Sequence, residues 1–405
     1  MPVNLPANLP VNTPVNTPAS AAPQRRLKIA VLNRIFRPSG GGAERYSIAL
    51  VEQLAQRHEL HVFAQHIEHA WPGVHYHRIP APLQRPRWIN QLWFATATWW
   101  ATRRGFDVVH SHENTWHGQV QTVHVLPIKH NLLHARQGWR RALRWLKIAT
   151  SVRLLVYLAL EWARYAPRAG RVIVPTSASL HTIMAQTYPH TQAAMQIVTP
   201  GVDALHVAPS AAEKASARAQ LGLPAQGSCI LFVANDYRKK GLETLLQALL
   251  LLPPQCYLAV VGNAAQIAGF QDEVAKLGLS GRIFFLGALD AVHVAYRAAD
   301  CLAHPTLEDT FAMVVLEALA HGLPVVVSAA RYCGIAALLT HELDALILEN
   351  PRDVTALAQA LQRLLFDTTL QSTLRQRGGH FAKGYLWPEV ARKQELIYLS
   401  VAQAQ

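Results

Sequence analysis

The sequence predicts an α/β protein with two doubly wound parallel sheets facing a cleft. Short runs rich in Val, Ile and Leu recur, each followed by a polar or glycine-bearing loop and then by helical periodicity. Parallel strands buried on both faces give that pattern. The alternation runs twice, first from Leu27 and again from Cys229. The chain has 405 residues, 51% hydrophobic and only 16% charged, which suffices for two domains of ordinary size, each with its own core. In such sheets ligands bind beyond the carboxyl ends of the strands, so the strand-to-helix loops carry the search for function.

Residues 1–24 repeat a Pro-Val-Asn theme and are rich in Pro, Asn and Ala. With no basic start and no apolar core they are not a secretory signal, and they read as a disordered leader. Leu27 to Asn33 is a buried strand, Gly40, Gly41 and Gly42 allow a tight turn and close backbone approach to a ligand, Glu44 to Gln56 is a helix, and Leu60 to Ala64 the next strand. Two basic segments follow, Trp88 to Arg104 and Arg136 to Arg153. The first carries Trp88, Trp93, Trp99 and Trp100; the second sets Arg140, Arg141, Arg144 and Lys147 beside Trp139 and Trp145. Between them, Asp107 to Ser111 is a strand ending at His112, and a further strand ends in Thr122-Val123-His124. His110, His112, His117, His124, His130 and His134 do not show the His-Glu-x-x-His pattern of a helical zinc site, so no metal is expected.

In the second half, Ile230 to Ala234 is a buried strand opening into a loop with Arg238, Lys239, Lys240 and Gly241. Fixed cations there suit a leaving group that develops negative charge. Tyr257 to Gly262 and Arg282 to Gly287 are further strands. The stretch from 301 to 328 is the most informative. A strand closes at Pro305, Thr306 to Thr310 supply loop chemistry and an N-cap, and Met313, Leu316, Glu317 and Ala320 repeat at helical spacing. Gly322 and Pro324 end the helix before the strand Val325 to Val327. A helix opening straight from a strand presents unpaired N–H groups and a positive dipole end, a phosphate site. Asp309 stands in the loop and Glu317 two turns into the helix, and eight residues of helix span about 12 Å. Tyr385 to Val401 is an amphipathic helix. Cys229, Cys256, Cys301 and Cys333 have no metal spacing, and read as small buried hydrophobes of a reducing compartment.

The acid pair, with the continuation Glu317-Ala-Leu-Ala-His-Gly-Leu-Pro-Val-Val-Val-Ser, resembles the E-x7-E signature of the retaining family 4 glycosyltransferases, which have the GT-B fold of two Rossmann-like domains. The Gly-Gly-Ala-Glu-Arg turn at 41–45, the Thr-x-His at 122–124, Pro200-Gly-Val-Asp203 and Lys240-Gly241 extend the likeness over residues 27–400. It implies an N-terminal acceptor-binding domain at 25–205, a nucleotide-sugar donor-binding domain at 206–384, and a C-terminal helix at 385–405 crossing back to the first domain. By the same resemblance the catalytic residues are His124, Asp309 and Lys240. The donor would be bound by Gly41, Gly42, Arg238, Lys239, Lys240, Glu308, Asp309, the backbone of Phe311, Ala312, Met313 and Val314, and Glu317. Asp309 would meet sugar hydroxyls, Glu317 the ribose, and the backbone of Gly287 to Leu289 the base. The chain departs from the family twice. Asp309, preceded by Glu308, stands where a single Glu is usual, and either acid could take the first role. Ala312 replaces a Gly. The family's Arg falls on Arg238 or Lys239.

The net charge of +13 is lopsided: residues 1–199 hold 22 Lys and Arg against 7 Asp and Glu, and the remainder is near neutral. Only the first half is suited to an anionic partner. Trp with Lys and Arg on amphipathic helices favours the membrane interface, and neither segment is long and apolar enough to span it. Together with the resemblance, closest to the glucosyltransferases of lipopolysaccharide core assembly, this gives the expected function. A hexose, glucose by that likeness, would pass from a nucleotide diphosphate sugar, UDP-linked, to an anionic glycolipid or saccharide acceptor. The protein would be cytoplasmic, peripheral on an anionic membrane surface at the inner face of the cytoplasmic membrane, with no cofactor and no nucleic acid. The alternatives are a GT-B sugar-nucleotide epimerase and a non-enzymatic nucleic-acid or scaffold protein.

Overall fold

The computed structural model describes residues 25–38, 42–83, 85–133 and 147–404. The leader at 1–24, Gly41, His134 and most of the second Trp/Arg segment lie outside them. Along the first half run β1 (Lys28–Leu32), β2 (Ile35–Phe36), β3 (Glu59–Ala64), β4 (His66–Ile67), β5 (Val74–Arg78), β6 (Val108–Ser111), β7 (Val120–Val123) and β8 (Val172–Pro175). The second half holds β9 (Ser228–Ala234), β10 (Cys256–Gly262), β11 (Ile283–Gly287), β12 (Cys301–His304), β13 (Val325–Ser328) and β14 (Leu346–Leu348). They form two six-stranded sheets, ordered β5-β3-β1-β6-β7-β8 and β11-β10-β9-β12-β13-β14, with β2 and β4 paired apart. Every strand pairing within the two sheets is parallel. Chain order therefore reverses between β1 and β6 in one sheet and between β9 and β12 in the other, and crevices open at those two points.

Hydrophobicity on both faces explains the parallel sheets. Cys256 to Gly262 is buried at every position, as are β12 and β13. Helices cover both sides: Leu242–Leu250 and Val354–Phe366 on one face of the second sheet, Met313–Ala320 on the other. All four cysteines are free and buried.

Two passes of chain join the sheets. The Val202 N–H donates to the Tyr385 carbonyl at 2.9 Å, and the Trp387 N–H to the Val202 carbonyl at 3.0 Å. Gly201 is required here, because a Cβ would lie 2.9 Å from the Trp387 ring. These bonds hold Leu386 extended after a turn closed by the Tyr385 N–H on the Ala382 carbonyl, so the last helix begins at Trp387, not at Tyr385 as its periodicity suggests, and runs to Gln403. Its Trp387, Val390, Ile397, Tyr398 and Val401 complete the core of the first sheet.

Candidate active site

The loops after β9 and β12 meet at the switch point of the second sheet. Gly241 permits the approach: its φ is +85°, and a Cβ there would stand 2.0 Å from the Pro305 carbonyl oxygen. The packing brings Lys240 onto the acidic loop. Its Nζ donates to Asp309 Oδ2 at 2.6 Å and to the Glu308 carbonyl at 2.8 Å, leaving one of three N–H donors for a ligand. Asp309 Oδ1 accepts the N–H groups of Phe311 at 3.1 Å and Ala312 at 2.8 Å, and His304 Nε2 lies 3.3 Å from Oδ2. Burial opposes the charge on Asp309, but His304 and then Lys240 beside it hold the carboxyl well below the ordinary carboxylate range. Glu308 points outward, with Lys239 Nζ at 2.9 Å from its carboxylate. Arg238 turns away to Glu243 at 2.5 Å and lies over the Phe270 ring, so Lys239 is the neighbour of the acidic loop.

The helix that follows differs from the sequence expectation in two respects. It starts at Met313, with Ala312 as its cap residue and no side-chain cap, whereas the pattern suggested a cap within Thr306 to Thr310. Asp309 binds instead the turn before the helix, and Glu317 lies only one turn inside it. Ala312 adopts φ +69° and ψ +73°, the left-handed region that a Cβ disfavours. Of the amides from Phe311 to Val314, the first two are engaged by Asp309, which leaves Met313 and Val314 as the first-turn donors facing a ligand.

Glu317 reaches across the cleft. Tyr296 donates its hydroxyl to Oε2 at 2.6 Å, and Arg45, on the helix Gly42–Leu54 of the first domain, approaches Oε1 at 3.3 Å. Gly42, Arg45, Tyr46, Tyr296, Met313 and Glu317 line a cavity of about 470 Å³, closed on one side by the linker at 200–206. The sequence held no signal for Tyr296, a tyrosine on an ordinary amphipathic helix.

The opposite wall is neutral. His124 Nε2 is 2.9 Å from His112 Nδ1, and its ring meets the edge of Tyr46. The Thr310 hydroxyl donates to the His124 carbonyl at 3.4 Å, so the acidic loop touches this wall directly. Burial, then the Arg164 cation, pushes His124 down to about 3. Burial likewise lowers His112 well below the usual imidazole value, and its Nε2 is buried without a partner. His110 uses both ring nitrogens, on Tyr398 and Thr122, each at 2.6 Å. Among the described residues, Glu59, His61 and His75 bring ligand atoms within 4.8 Å of one another on β3 and β5. There Glu59 is already paired with Lys28 at 3.0 Å and with His61 at 2.8 Å.

Residues 40–206 match the family described as Glycosyltransferase Family 4, and residues 213–381 that described as Glycosyl transferases group 1. The D-inositol 3-phosphate glycosyltransferase of Corynebacterium urealyticum is 30% identical over 247 residues, 58% of this chain and 57% of that protein. That of Salinispora arenicola is 30% identical over 211 residues, 48% and 46% respectively. The chain thus spans about half the length of the curated relatives it matches. Among solved structures, WaaG, a glycosyltransferase involved in lipopolysaccharide biosynthesis, superposes with a TM-score of 0.76 at 21% identity, over 90% of this chain and 98% of WaaG. Anabaena HepE, solved in complex with UDP and glucose, gives 0.71 at 18% identity, over 93% and 100%. These likenesses show the GT-B fold.

Proposed function

The chain belongs to the family 4 glycosyltransferases, and from that premise we propose that it is a retaining enzyme moving a hexose from a nucleotide diphosphate sugar to an acceptor hydroxyl. The observation that carries the reading is the Lys240–Asp309 pair at the switch point of the second sheet, 2.6 Å apart, with Lys239 beside it. As the bond between sugar and diphosphate breaks, negative charge grows on the leaving phosphate. The free N–H of Lys240, the Lys239 ammonium and the amides of Met313 and Val314 are fixed donors for that charge, and fixed donors need no reorganisation during the step. Asp309 orients Lys240 and the turn that carries those amides. Glu317 is the acceptor for ribose hydroxyls, which would displace Arg45 from it. His124, kept neutral, hydrogen-bonds the sugar without repelling the cationic wall.

HepE was solved with UDP and glucose, which favours a UDP-linked hexose, glucose in the first instance, as the donor. The basic, Trp-rich first domain favours a saccharide or glycolipid acceptor at an anionic membrane surface, in cell-surface glycan assembly such as that of lipopolysaccharide. Trp93, Trp99 and Trp100 on the helix Arg87–Thr102 are 44%, 38% and 58% exposed, and Trp162 on the adjacent helix Val152–Tyr165 is 67% exposed. Among the described residues no helix is long and apolar enough to cross a membrane, so the association would be peripheral. Thermal stabilisation by a panel of nucleotides and nucleotide sugars tests the donor. Binding to the native state raises the melting temperature, and selective stabilisation by UDP and one UDP-sugar is expected. No response to any nucleotide would overturn the reading.

A further inference from the structure

A second cavity, of about 260 Å³, opens on the first domain against Gln119 and Arg171, the residues just ahead of β7 and β8. It therefore sits at the amino ends of the strands, whereas His112 and His124 mark the carboxyl ends that face the cleft. Arg103, Arg168 and Arg171 line it, and among the described residues no carboxylate does. It is smaller than the ~300 Å³ at which organic-ligand pockets begin.

His117 also lines this cavity. It is 7% exposed, and neither ring nitrogen has a partner. Burial, then the charges of Arg171 and Arg168, holds it down to about 4, so the ring is neutral and its N–H faces no acceptor. Arg171 is pinned by its Nη atoms to the carbonyls of Ala163, Arg164, Ala166 and Trp116, and its Nε is likewise buried and unpaired. Buried donors without acceptors are rare in folded proteins because each costs the hydration it gave up. Here two of them join three positive charges around one small space. Arg168 is exposed, and Arg103 lies over the Trp100 ring at 3.8 Å.

We propose that this cavity binds a phosphate ester, through His117, Arg168 and Arg103, with the pinned Arg171 adding its charge. Trp99 lines the cavity and Trp100 flanks it, both exposed, which puts the bound phosphate at the depth of a lipid headgroup when the Trp face meets an anionic bilayer. The lipid source rests on the membrane reading above; the phosphate site does not, and neither depends on the transferase chemistry.

Two arms test it on the 405-residue chain. In solution, binding of glycerol 3-phosphate is measured by calorimetry for the wild type, Arg168→Ala and His117→Phe. Loss of one charge-assisted hydrogen bond should weaken it about tenfold in Arg168→Ala, while nucleotide stabilisation stays unchanged. In the second arm, flotation with phosphatidylglycerol and phosphatidylcholine vesicles compares Arg168→Ala with Arg104→Ala, an exposed cation outside the cavity. The lipid assignment expects a clearly larger loss on phosphatidylglycerol for Arg168→Ala. Weakened glycerol phosphate binding with equal vesicle loss in both variants would keep the site and overturn its lipid source. Glycerol phosphate binding that is absent, or unaltered in both cavity variants, would overturn the proposal, whatever the nucleotide panel shows.

Discussion

On one wall of the cleft Lys240, Asp309 and His304 form a chain of charge-assisted bonds; on the other stand His112 and His124, backed by the fully buried His110, all imidazoles that burial keeps uncharged. The walls meet where the Thr310 hydroxyl touches the His124 carbonyl. The difference is one of partners. Asp309 stays ionised although buried, because an ammonium, an imidazole and two backbone N–H groups surround it. The histidines have mostly one another, a tyrosine and a threonine, and nearby Arg164 opposes any added proton. A charged wall suits a diphosphate, and a neutral, hydrogen-bonding wall suits sugar hydroxyls.

Removing the charge from the first wall should have the largest effect. Lys240→Ala is expected to lower kcat by about 10²–10³, the usual cost of deleting one fixed donor to developing charge, with the circular dichroism spectrum unchanged. Near wild-type turnover in that variant would remove the main support for the transferase mechanism.

Acid should break the second wall before the first. His110 and His124 are lowered from the usual 6.5 to about 3. Their contribution to stability is whole above pH 6.5 and declines as pH falls toward the folded-state values, because the unfolded chain takes up protons that the folded one refuses. Each such imidazole is worth about 1.4 kcal/mol per pH unit inside that window. Asp309, depressed in the folded state, is lost only below the ordinary carboxylate range. Urea unfolding at pH 7 and pH 5 should therefore show a drop of a few kcal/mol; a flat profile over that interval would contradict the neutral wall.

Smaller effects sharpen the contrast. Ala312→Gly should stabilise the protein by about 0.5–1 kcal/mol, since glycine occupies the left-handed region without the penalty of roughly 1–2 kcal/mol that a Cβ brings, offset in part by its freer unfolded chain. Denaturant midpoints measure it, and a destabilised variant would mean that the Ala312 methyl packs usefully. Smallest of all, Arg45→Ala removes the half-exposed ion pair across the cleft to Glu317. Its expected cost is below about 1 kcal/mol, and a loss of several would make Arg45 part of the hinge.

Much of this site was legible along the chain, for local reasons. Buried parallel strands need unbroken apolar runs, so β9, β10, β12 and β13 stand out by composition, and the loops between strand and helix could be named residue by residue. Lys240, Gly241, Asp309 and Glu317 were all picked out this way. Local pattern could not give the start of the helix after Asp309, because the left-handed turn at Ala312 is imposed by the loop's bonds to Asp309 and to Tyr332 and Gly334 across from it. Nor could it give Tyr296 beside Glu317, the choice of Lys239 over Arg238 as neighbour of the acidic loop, or the extended Leu386 before the last helix. The sequence by itself determined two doubly wound sheets and the loops that carry the chemistry, since strand burial and helix periodicity are short-range properties. Only the tertiary structure decided which side chains on those loops are paired, neutral or left free. That depends on the packing of one loop against another, set by Gly241 on Pro305, Thr310 on His124 and Arg45 on Glu317, contacts between residues far apart in the chain.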